Sequence, residues 1–336
     1  MNIEEFNYQL PSELIAQEPL KAREEARLMV VDRKNQTVEH RTIKELPLIL
    51  NANDVLVFND TQVFPARLNG EIESKPAEIL LHSPVMEDTW ECLVKPGKRF
   101  VLGAIFKSGD LEGVVSAIAS DGSRIIQFSE SGLELNKKID QIGVTPLPPY
   151  IRQTAQLKDY QTVYAKHRGS VAAPTAGLHF TSSLLEKLAK QGIEQEFVTL
   201  HVGRGTFEPV KVENLEDHVM HSEWIEINFE TAAHLNRAKK EGKRIIAVGT
   251  TSARTLESCI QNRVLVPQTK ATSLFIKPDY QFQMVDALLT NFHLPKSTLL
   301  VLISVLAGKE LIQRAYAEAI RENYRFFSFG DAMLIL

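Results

Sequence analysis

The sequence predicts an α/β fold in which a large domain, with a sheet covered by helices, is interrupted by an inserted small antiparallel β-barrel domain. Two patterns predict it: short strands without helices fill the stretch from about Arg67 to Ile142, and helices alternate with strands after about residue 180. A chain of 336 residues also exceeds one ordinary core of about 100 to 200 residues. We expect the large domain at residues 1–66 and 146–336 and the barrel domain at residues 67–145.

The large domain begins with two strand patterns, ARLMVVD (26–32) and DVLVFND (54–60). The inserted stretch carries short alternating runs such as AEILLHS and WECLVK, separated by Gly, Asp, Ser or Pro, and we expect no helix in it. TPLPPYIR (145–152) follows, and its prolines favour an extended segment. We therefore place the domain boundary there.

The alternating part opens with the helix pattern SSLLEKLAKQG (182–192). Ser183 and Glu186 suit a capping box at its start, and Gly192 suits its end. The strand pattern EFVTLHV follows at once. This order of helix and strand is the unit from which a covered sheet is built.

A second unit repeats that order with the helix pattern TAAHLNRAKKEG (231–242) and the strand pattern KRIIAV. Thr231 is the expected N-cap and Gly242 the expected stop. Towards the end of the chain, KELIQRAYAEAIREN (309–323) predicts a helix and DAMLIL (331–336) a last strand.

Composition is that of a soluble globular protein, with 44% hydrophobic and 24% charged residues. No apolar run approaches the roughly 18 residues of a membrane span, and the acidic N-terminus lacks a signal-peptide pattern, so we expect a cytoplasmic protein. We also expect a monomer. Cys92 and Cys259 have no CxxC spacing and are expected to be buried thiols. A net charge of −4 argues against non-specific coating of nucleic acid but allows a local basic patch.

Four segments combine Gly, Ser, Thr, Pro and His with few charges, and each is typical of an ordered polar loop. They are GSVAAPTAGLHFT (169–181), LHVGRGTF (200–207), AVGTTSARTLES (247–258) and TNFHLPKST (290–298). The second and third follow predicted strands, and ligands of open α/β sheets lie beyond the carboxyl ends of strands. We therefore expect one shared site.

In the third segment, a strand enters Gly249, Thr250, Thr251 and Ser252 before a helix begins. The hydroxyls and free backbone N–H groups there suit an anion or a carboxylate. The alternative is that Thr251 or Ser252 only caps the helix. Arg254 in the first helical turn favours a site, because a cation there needs an anionic partner.

The polar segments contain three histidines, His179, His201 and His293. A single histidine beside apolar residues is more often structural, but three in similar loops favour a site, because imidazole titrates near neutral pH. GRGTF (203–207) is neither a dinucleotide-binding motif nor a phosphate-binding P-loop. A nucleotide role of either kind is therefore not expected.

Two other classes of function stay open on these residues. His218 and His221, with Asp217 and Glu223 nearby, could hold a divalent ion in a metal-dependent hydrolase of nucleosides or sugar phosphates, although they lack a recognised ligand spacing. The basic clusters KPGKR (95–99) and KHR could instead serve a non-catalytic RNA-binding module.

Further strings along the chain, together with the polar loops, match a known family. They are YQLPSELIAQEPL, LVFNDTQVFPARL, WECLVKPGKR, PLPPYI, YQTVYA, GSVAAPTAGLHFT, TLHVGRGTF, HVMHSE, AVGTTSARTLES, TNFHLPKSTLL and YRFFSFGDAML. Through them the chain resembles the S-adenosylmethionine:tRNA ribosyltransferase-isomerase family of the queuosine pathway. The resemblance covers nearly the whole chain in order, and its departures, FIKPDY (275–280) and Ala253 among them, remove no hydroxyl, imidazole or carboxylate from the polar loops.

This resemblance implies that S-adenosylmethionine donates a ribosyl group instead of a methyl group. The implied acceptor is the aminomethyl group of 7-aminomethyl-7-deazaguanine at the wobble position of a tRNA. The implied products are epoxyqueuosine in tRNA, adenine and methionine, and no metal or cofactor beyond S-adenosylmethionine is expected.

From the resemblance we hypothesise that His179 is a general acid or base and that Asp331 holds the amine or the sulfonium side. Arg254 would take the methionine carboxylate or a tRNA phosphate, and His201 and His293 would contact adenine or ribose. The full set expected to bind S-adenosylmethionine or the modified base is Ser170, Thr175, Gly177, His201, Gly203, Gly205, Thr206, Thr250, Thr251, Ser252, Arg254, Asn291 and His293. The residues expected to bind tRNA are Lys95, Lys98, Arg99, Lys166 and Arg168.

Overall fold

A nine-stranded mixed sheet organises the large part of the protein in a computed structural model that describes residues 1–148, 150–151, 156–203 and 212–336. Its strands, in spatial order, are β17 (Gln268–Thr272), β13 (Glu223–Ile227), β12 (Glu194–Leu200), β3 (Asp54–Asn59), β14 (Arg244–Val248), β18 (Ala287–Asn291), β19 (Ala332–Ile335), β1 (Arg27–Asp32) and β2 (Thr37–Thr42).

The centre of this sheet is parallel, because β12, β3, β14 and β18 pair in one direction. Their carboxyl ends therefore meet along one edge of the sheet. β13 and β19 run antiparallel to their neighbours β12 and β18, so their first residues reach the same edge. Polar segments before and after these strands are brought together there.

Helices cover both faces of the sheet, as predicted. In β3, Val55 and Val57 pack into one core and Leu56 and Phe58 into another, because alternate side chains of a strand point to opposite faces. The helices are α1 (Leu46–Ile49), α2 (Gly132–Ile142), α3 (Ser182–Lys190), α4 (Phe229–Lys240), α5 (Thr250–Ser258), α6 (Thr298–Ala307) and α7 (Lys309–Arg321). The first core includes buried side chains of α4 to α7, and the second includes those of α1 and α3.

The inserted stretch forms a closed six-stranded antiparallel barrel, which confirms that part of the predicted fold. It has a core of its own that includes Leu68, Ile79 and Phe106. The strands, in order around the barrel, are β10 (Arg124–Phe128), β7 (Thr89–Lys95), β6 (Lys75–Pro84), β5 (Arg67–Ile72), β8 (Ile105–Ser108) and β9 (Leu111–Ile118). The division into domains at residues 67–145 stays a prediction.

Short elements complete the described chain. Two pairs of strands are β4 (Thr61–Val63) with β11 (His167–Ser170) and β15 (Ile260–Gln261) with β16 (Val264–Leu265). The 3-10 helices are Ile3–Phe6, Ser12–Leu14, Arg23–Glu25, Ile43–Glu45, Gly97–Arg99, Leu157–Tyr160, Thr175–His179 and Leu215–Asp217. Of the predicted boundary segment 145–152, residues 149 and 152 lie outside the described part, and residues 145–148 are irregular.

The expectation that the inserted stretch has no helix is wrong, because α2 follows the last barrel strand. Leu135 and Ile139, four residues apart, are the buried side chains of α2, and both pack into the barrel core. A pair one turn apart gives only a weak periodic pattern in the sequence. The predicted helices and strands of the alternating part are otherwise present, and α6 lies in a stretch for which no helix was predicted.

Both predicted N-caps are wrong, although both predicted stops are confirmed. α3 is capped by Thr181, whose hydroxyl accepts a hydrogen bond from the Leu184 N–H at 3.1 Å. α4 is capped by Asn228, which accepts from the Thr231 N–H at 2.8 Å. The glycines that end these two helices have left-handed φ angles of +81° at Gly192 and +78° at Gly242.

Both cysteines are buried free thiols, as expected for Cys92 and Cys259. Among the described helices, none combines the length and the apolar character that crossing a lipid bilayer requires. The cytoplasmic location and the monomeric state stay predictions.

Candidate functional site

Residues from all four polar segments line one pocket at the carboxyl edge of the central strands. We call it the threonine pocket, because Thr175, Thr250, Thr251 and Thr290 form much of its wall. Its enclosed volume is about 70 Å³. Val202, Asn291, His293 and Ser328 also line it, and within the described chain no Asp, Glu, Lys or Arg does. The predicted convergence of these segments on one site is therefore present.

Asn291 is the centre of a hydrogen-bond network in this wall. Its Oδ1 accepts from the Thr175 hydroxyl at 2.9 Å, and its Nδ2 lies 3.3 Å from His179 Nε2. Because the Nδ2 group can only donate, His179 Nε2 must accept, which places the proton of a neutral imidazole on Nδ1. His179 therefore fixes the orientation of the Asn291 amide from behind.

The two buried histidines of this region are neutral at neutral pH. Burial, together with the nearby Arg23 and Arg325 charges, lowers the pKa of His179 to about 4. Burial alone lowers the pKa of His293 to about 3. His179 is 5% exposed and does not line the described pocket, whereas His293 does. This geometry favours a positioning role for His179 over the predicted role as general acid or base.

These lowered pKa values predict that the protein loses stability in mild acid. Below pH 6.5 the imidazoles of His179 and His293 bind protons in the unfolded chain but not in the folded protein. The free energy of unfolding therefore falls as pH falls from about 6.5 towards about 4. Between pH 7 and 5.5 we expect each histidine to account for about 1 kcal/mol of this loss. Urea unfolding at both pH values measures it, and His179→Gln should reduce the loss by about 1 kcal/mol. Equal losses in the two proteins would contradict the assignment.

Helix α5 presents two threonines to the pocket at its N-terminus. Its N-cap is Gly249, with a φ of +89° and no side-chain capping bond, so the alternative that Thr251 or Ser252 caps the helix is wrong. Ser252 donates back to the Val248 carbonyl at 2.8 Å. The Thr251 hydroxyl is buried and has no hydrogen-bond partner among the described residues. A buried hydroxyl without a partner is costly, and a ligand in the pocket would satisfy it.

The anion that Arg254 requires is a carboxylate of the protein. Arg254 Nη1 pairs with Glu223 Oε2, and the two side chains are 6% and 5% exposed. Arg254 Nε donates to the Leu274 carbonyl at 3.1 Å, and Glu223 Oε1 accepts from the Gly203 N–H at 3.0 Å. Arg254 Nη2 is buried with no hydrogen-bond partner among the described residues, so the contact with a methionine carboxylate or a tRNA phosphate stays a prediction.

A second, larger space lies between the barrel and the sheet, and we call it the barrel–sheet cavity. Its volume is about 820 Å³, and its walls include barrel residue Trp90 and sheet residue Trp224. His201 and Gly203 line this cavity and not the threonine pocket, while Val202 lines both. The two spaces are therefore neighbours, separated by the segment that follows β12.

Ser170 joins the segment that follows β12 to its own segment, 169–181, by hydrogen bonds. Its hydroxyl accepts from the Val202 N–H at 2.9 Å and donates to the Ala172 carbonyl at 2.7 Å. It is fully buried, so its role is to hold the loops.

Gly177 packs against Tyr164 so closely that no side chain fits. A Cβ at this position would lie 1.9 Å from the Tyr164 hydroxyl, and that hydroxyl is buried with no hydrogen-bond partner among the described residues. We expect Gly177→Ala to lower the free energy of unfolding by about 1–3 kcal/mol, as overpacking does. Tyr164→Phe should be close to neutral alone and should restore part of the loss in the double variant. Thermal unfolding of the four proteins measures the coupling, and strictly additive effects would contradict the contact.

The carboxylate of Asp331 anchors the backbone of two other segments of the chain. Its Oδ1 accepts from the Arg27 N–H at 2.9 Å and its Oδ2 from the Arg325 N–H at 2.8 Å. It is almost completely buried, and burial raises its pKa. The geometry therefore gives Asp331 a structural use at the start of β1 and β19, and it does not line the described threonine pocket.

The basic residues expected to bind tRNA lie on the surface, in different surroundings. Lys95, Lys98 and Lys166 are exposed. Arg99 donates to the Pro76 carbonyl. Arg168 pairs with Asp140 at 2.7 Å and lies over the ring of Phe64. The three lysines are the best placed to meet phosphate groups.

Gly205, Thr206 and the residues of the possible metal site are the predicted site residues that remain. Gly205 and Thr206 lie outside the described residues. His218 packs edge-on against Phe275, and Glu223 is paired with Arg254. In the described ranges no three His, Cys, Asp or Glu side chains come together as a possible metal site. The geometry thus gives the hydrolase alternative no support.

Fold and site together define an α/β protein with a barrel insertion that gathers hydroxyl and amide groups at the carboxyl ends of parallel strands, the usual place for a small-molecule site in such sheets. A family model described as queuosine biosynthesis protein matches residues 3–335. The chain belongs to this family.

Curated relatives match along their whole length. The S-adenosylmethionine:tRNA ribosyltransferase-isomerases of Desulfitobacterium hafniense and Acetivibrio thermocellus are each 50% identical, and each match covers 100% of both chains. The solved S-adenosylmethionine tRNA ribosyltransferase of Thermotoga maritima is 39% identical, with a TM-score of 0.57 over 99% of this chain and 100% of that chain.

Proposed function

We propose that this enzyme transfers and isomerises the ribosyl group of S-adenosylmethionine onto 7-aminomethyl-7-deazaguanine at the wobble position of tRNA. The products are epoxyqueuosine in tRNA, adenine and methionine. The observation that carries the proposal is the 50% identity, over complete chains, with relatives named for this activity. S-adenosylmethionine brings both the ribosyl group and its leaving groups, so the proposal needs no further cofactor.

The threonine pocket supports binding of the adenosine part of the donor. Its lining offers hydroxyls and an amide without charged side chains, and Thr251 has a hydroxyl that lacks a partner in the described structure. Such groups can bind the nitrogens of adenine and the ribose hydroxyls and can stabilise adenine as it leaves. A volume of about 70 Å³ is well below the roughly 300–1,000 Å³ of complete ligand sites. The rest of the donor must therefore extend beyond this pocket.

His293 is proposed to contact the adenine or the ribose of the donor. It lines the pocket, and its Nε2 lies 3.1 Å from the Thr290 hydroxyl. Burial lowers its pKa to about 3, so it is a weak base and a poor candidate for removing the acidified proton at C5′. His179 supports the reaction through Asn291, whose amide it orients. His179→Ala should then abolish most turnover while tRNA binding stays intact, and retained turnover would remove it from this role.

The proposal is tested with ribose-labelled S-adenosylmethionine and two tRNAs, one carrying 7-aminomethyl-7-deazaguanine and one carrying guanine at the wobble position. We expect label to enter only the modified tRNA, with adenine and methionine released in equal amounts. Active, folded protein that transfers no label would refute the proposal. Release of adenine would also exclude a purely RNA-binding module.

The barrel is proposed to contact the tRNA backbone through Lys95 and Lys98, both of which are exposed. Each phosphate contact adds about 0.7–0.9 to the slope of log affinity against log salt. We expect Lys95→Ala with Lys98→Ala to weaken tRNA binding and to lower this slope by about 1.4 to 1.8. The matched control replaces Lys187 and Lys190, two exposed lysines of α3, and should leave the slope unchanged. An unaltered slope in the barrel variant would rule out the contact.

A further inference from the structure

The barrel–sheet cavity has the size of a complete small-molecule site. Its volume of about 820 Å³ falls within the roughly 300–1,000 Å³ that such sites occupy. It lies directly beside the threonine pocket, with Val202 lining both. None of the functions assigned above to the threonine pocket accounts for this second space.

Aromatic side chains stand on both walls of the cavity. On the sheet side, the rings of His201 and Trp224 stack with centroids 4.7 Å apart and planes 13° apart. The Thr61 hydroxyl, 2.8 Å from His201 Nδ1, fixes the imidazole, while Trp224 stays 37% exposed. On the barrel side, Trp90 packs against the ring of Phe64 at 5.7 Å. A planar base taken out of an RNA stack is held by such aromatic surfaces.

The charge of the lining favours a cation. Glu87, Glu91 and Asp121 line the barrel side, and the guanidinium of Arg168 is paired with Asp140. Glu91 Oε2 accepts from the Ser83 hydroxyl at 3.0 Å, and the Ser123 hydroxyl lies between Glu91 Oε1 at 2.9 Å and Asp121 Oδ1 at 2.7 Å. An acidic, aromatic cavity repels phosphate and attracts an aromatic ring that carries an ammonium group.

We propose that the barrel–sheet cavity binds the acceptor base as a flipped nucleotide, with 7-aminomethyl-7-deazaguanine stacked on Trp224 and its ammonium group held by Glu91. This inference rests on the proposed function, which supplies the identity of the base. The ribosyl donor and the aminomethyl group then come next to each other beside Val202, which lines both spaces, and the ammonium gives one proton to Glu91 before its nitrogen attacks. Guanine lacks the ammonium group, so the same cavity selects modified over unmodified tRNA.

The chain has two tryptophans, Trp90 and Trp224, and both line this cavity, so tryptophan fluorescence reports on it directly. The probes are the free base 7-aminomethyl-7-deazaguanine, guanine and S-adenosylmethionine, each titrated separately. We expect saturable quenching by the aminomethyl base, at least 10-fold weaker binding of guanine, and no quenching by S-adenosylmethionine alone. Quenching by S-adenosylmethionine without any by the base would overturn the proposal and make the cavity the donor site.

Two variants test the named contacts. Glu91→Gln keeps size and hydrogen bonding but removes the charge, and should weaken the aminomethyl base about 10-fold while leaving guanine unchanged. Trp224→Ala should weaken both bases about 10-fold, and Trp224→Phe, which keeps an aromatic ring and controls for folding, should restore most of the affinity. Unchanged affinity for the aminomethyl base in Glu91→Gln and Trp224→Ala would overturn the proposal.

Turnover separates this inference from the proposed function. If label transfer occurs but Trp224→Ala leaves the KM for modified tRNA unchanged, the cavity assignment fails and the function stands. If the base binds here and Glu91→Gln weakens it, but no ribosyl group is transferred, the function fails and the binding site stands. The donor affinity of each variant should equal that of the parent protein.

Discussion

Asn291→Ala is expected to lower kcat for ribosyl transfer by about 10²-fold or more, the usual cost of removing a preorganised hydrogen-bond donor from a reaction site. The amide is oriented by two contacts, the Thr175 hydroxyl at 2.9 Å and His179 Nε2 at 3.3 Å. It also lines the threonine pocket, where adenine is proposed to leave. Replacing it removes the donor and releases both of its partners.

Two further variants show whether these residues act as one network. Thr175→Val removes a single neutral hydrogen bond, worth about 1 kcal/mol, so its effect should be about 10-fold or less. Asn291→Ala with His179→Ala should be scarcely worse than Asn291→Ala alone, because effects within one unit are not additive. Single-turnover rates and thermal unfolding are measured together. Near-normal turnover of folded Asn291→Ala protein would contradict the role of this amide.

The second large effect is on stability, and it concerns the buried ion pair. Arg254→Met should lower the free energy of unfolding by about 3–5 kcal/mol, because it breaks a buried ion pair by removing one of its two members. Glu223→Gln in the same chain removes the carboxylate charge as well and keeps an acceptor for the Gly203 N–H. The double variant should therefore recover most of the loss, as measured by urea unfolding.

The same pair of variants tests the earlier expectation that Arg254 binds the methionine carboxylate. If the ion pair is its whole role, folded double-variant protein should bind S-adenosylmethionine with unchanged affinity. A drop of more than 10-fold in that affinity would restore Arg254 to the donor site. A double variant as unstable as Arg254→Met alone would show that charge burial is not the cause.

Strands and loops with simple patterns were predictable from the sequence. The alternating runs of the insertion form the barrel, and the polar segments around Thr175, Thr250 and Asn291 meet in one pocket. Both follow from local signals. The barrel strands show a two-residue hydrophobic period, and the pocket segments show a cluster of Gly and Thr beyond a strand. Local signals fail at N-caps, since Thr181 and Ser183 both have side chains that can cap.

Contacts between residues on different strands were not predictable, because the sequence around a residue does not show which distant residue it contacts. The anion beside Arg254 comes from Glu223, 31 residues earlier on an antiparallel strand. Asp331 suggested a ligand group but anchors two backbone N–H groups. His179 suggested a general acid or base, and its burial, which the sequence does not show, keeps it neutral.

The barrel–sheet cavity was the feature that sequence reasoning missed most completely. Trp224 lies in β13, the strand next to one edge of the sheet, and Trp90 lies in the barrel strand β7, and an aromatic residue is ordinary in a strand. Their approach depends on how the barrel sits against the sheet. The available signal was small: the chain has two tryptophans, and each lies within a strand pattern that contains a glutamate.

The position of β19 determines the stage of protein synthesis at which the site can form. This strand, residues 332–335, lies between β18 and β1, so it joins the most recent part of the chain to one of the first strands made. Asp331, just before it, fastens the backbone at Arg27. Before residues 332–335 are made, β18 and β1 each lack the neighbour that pairs with them in the finished sheet, so we expect donor binding to begin only once these residues can pair.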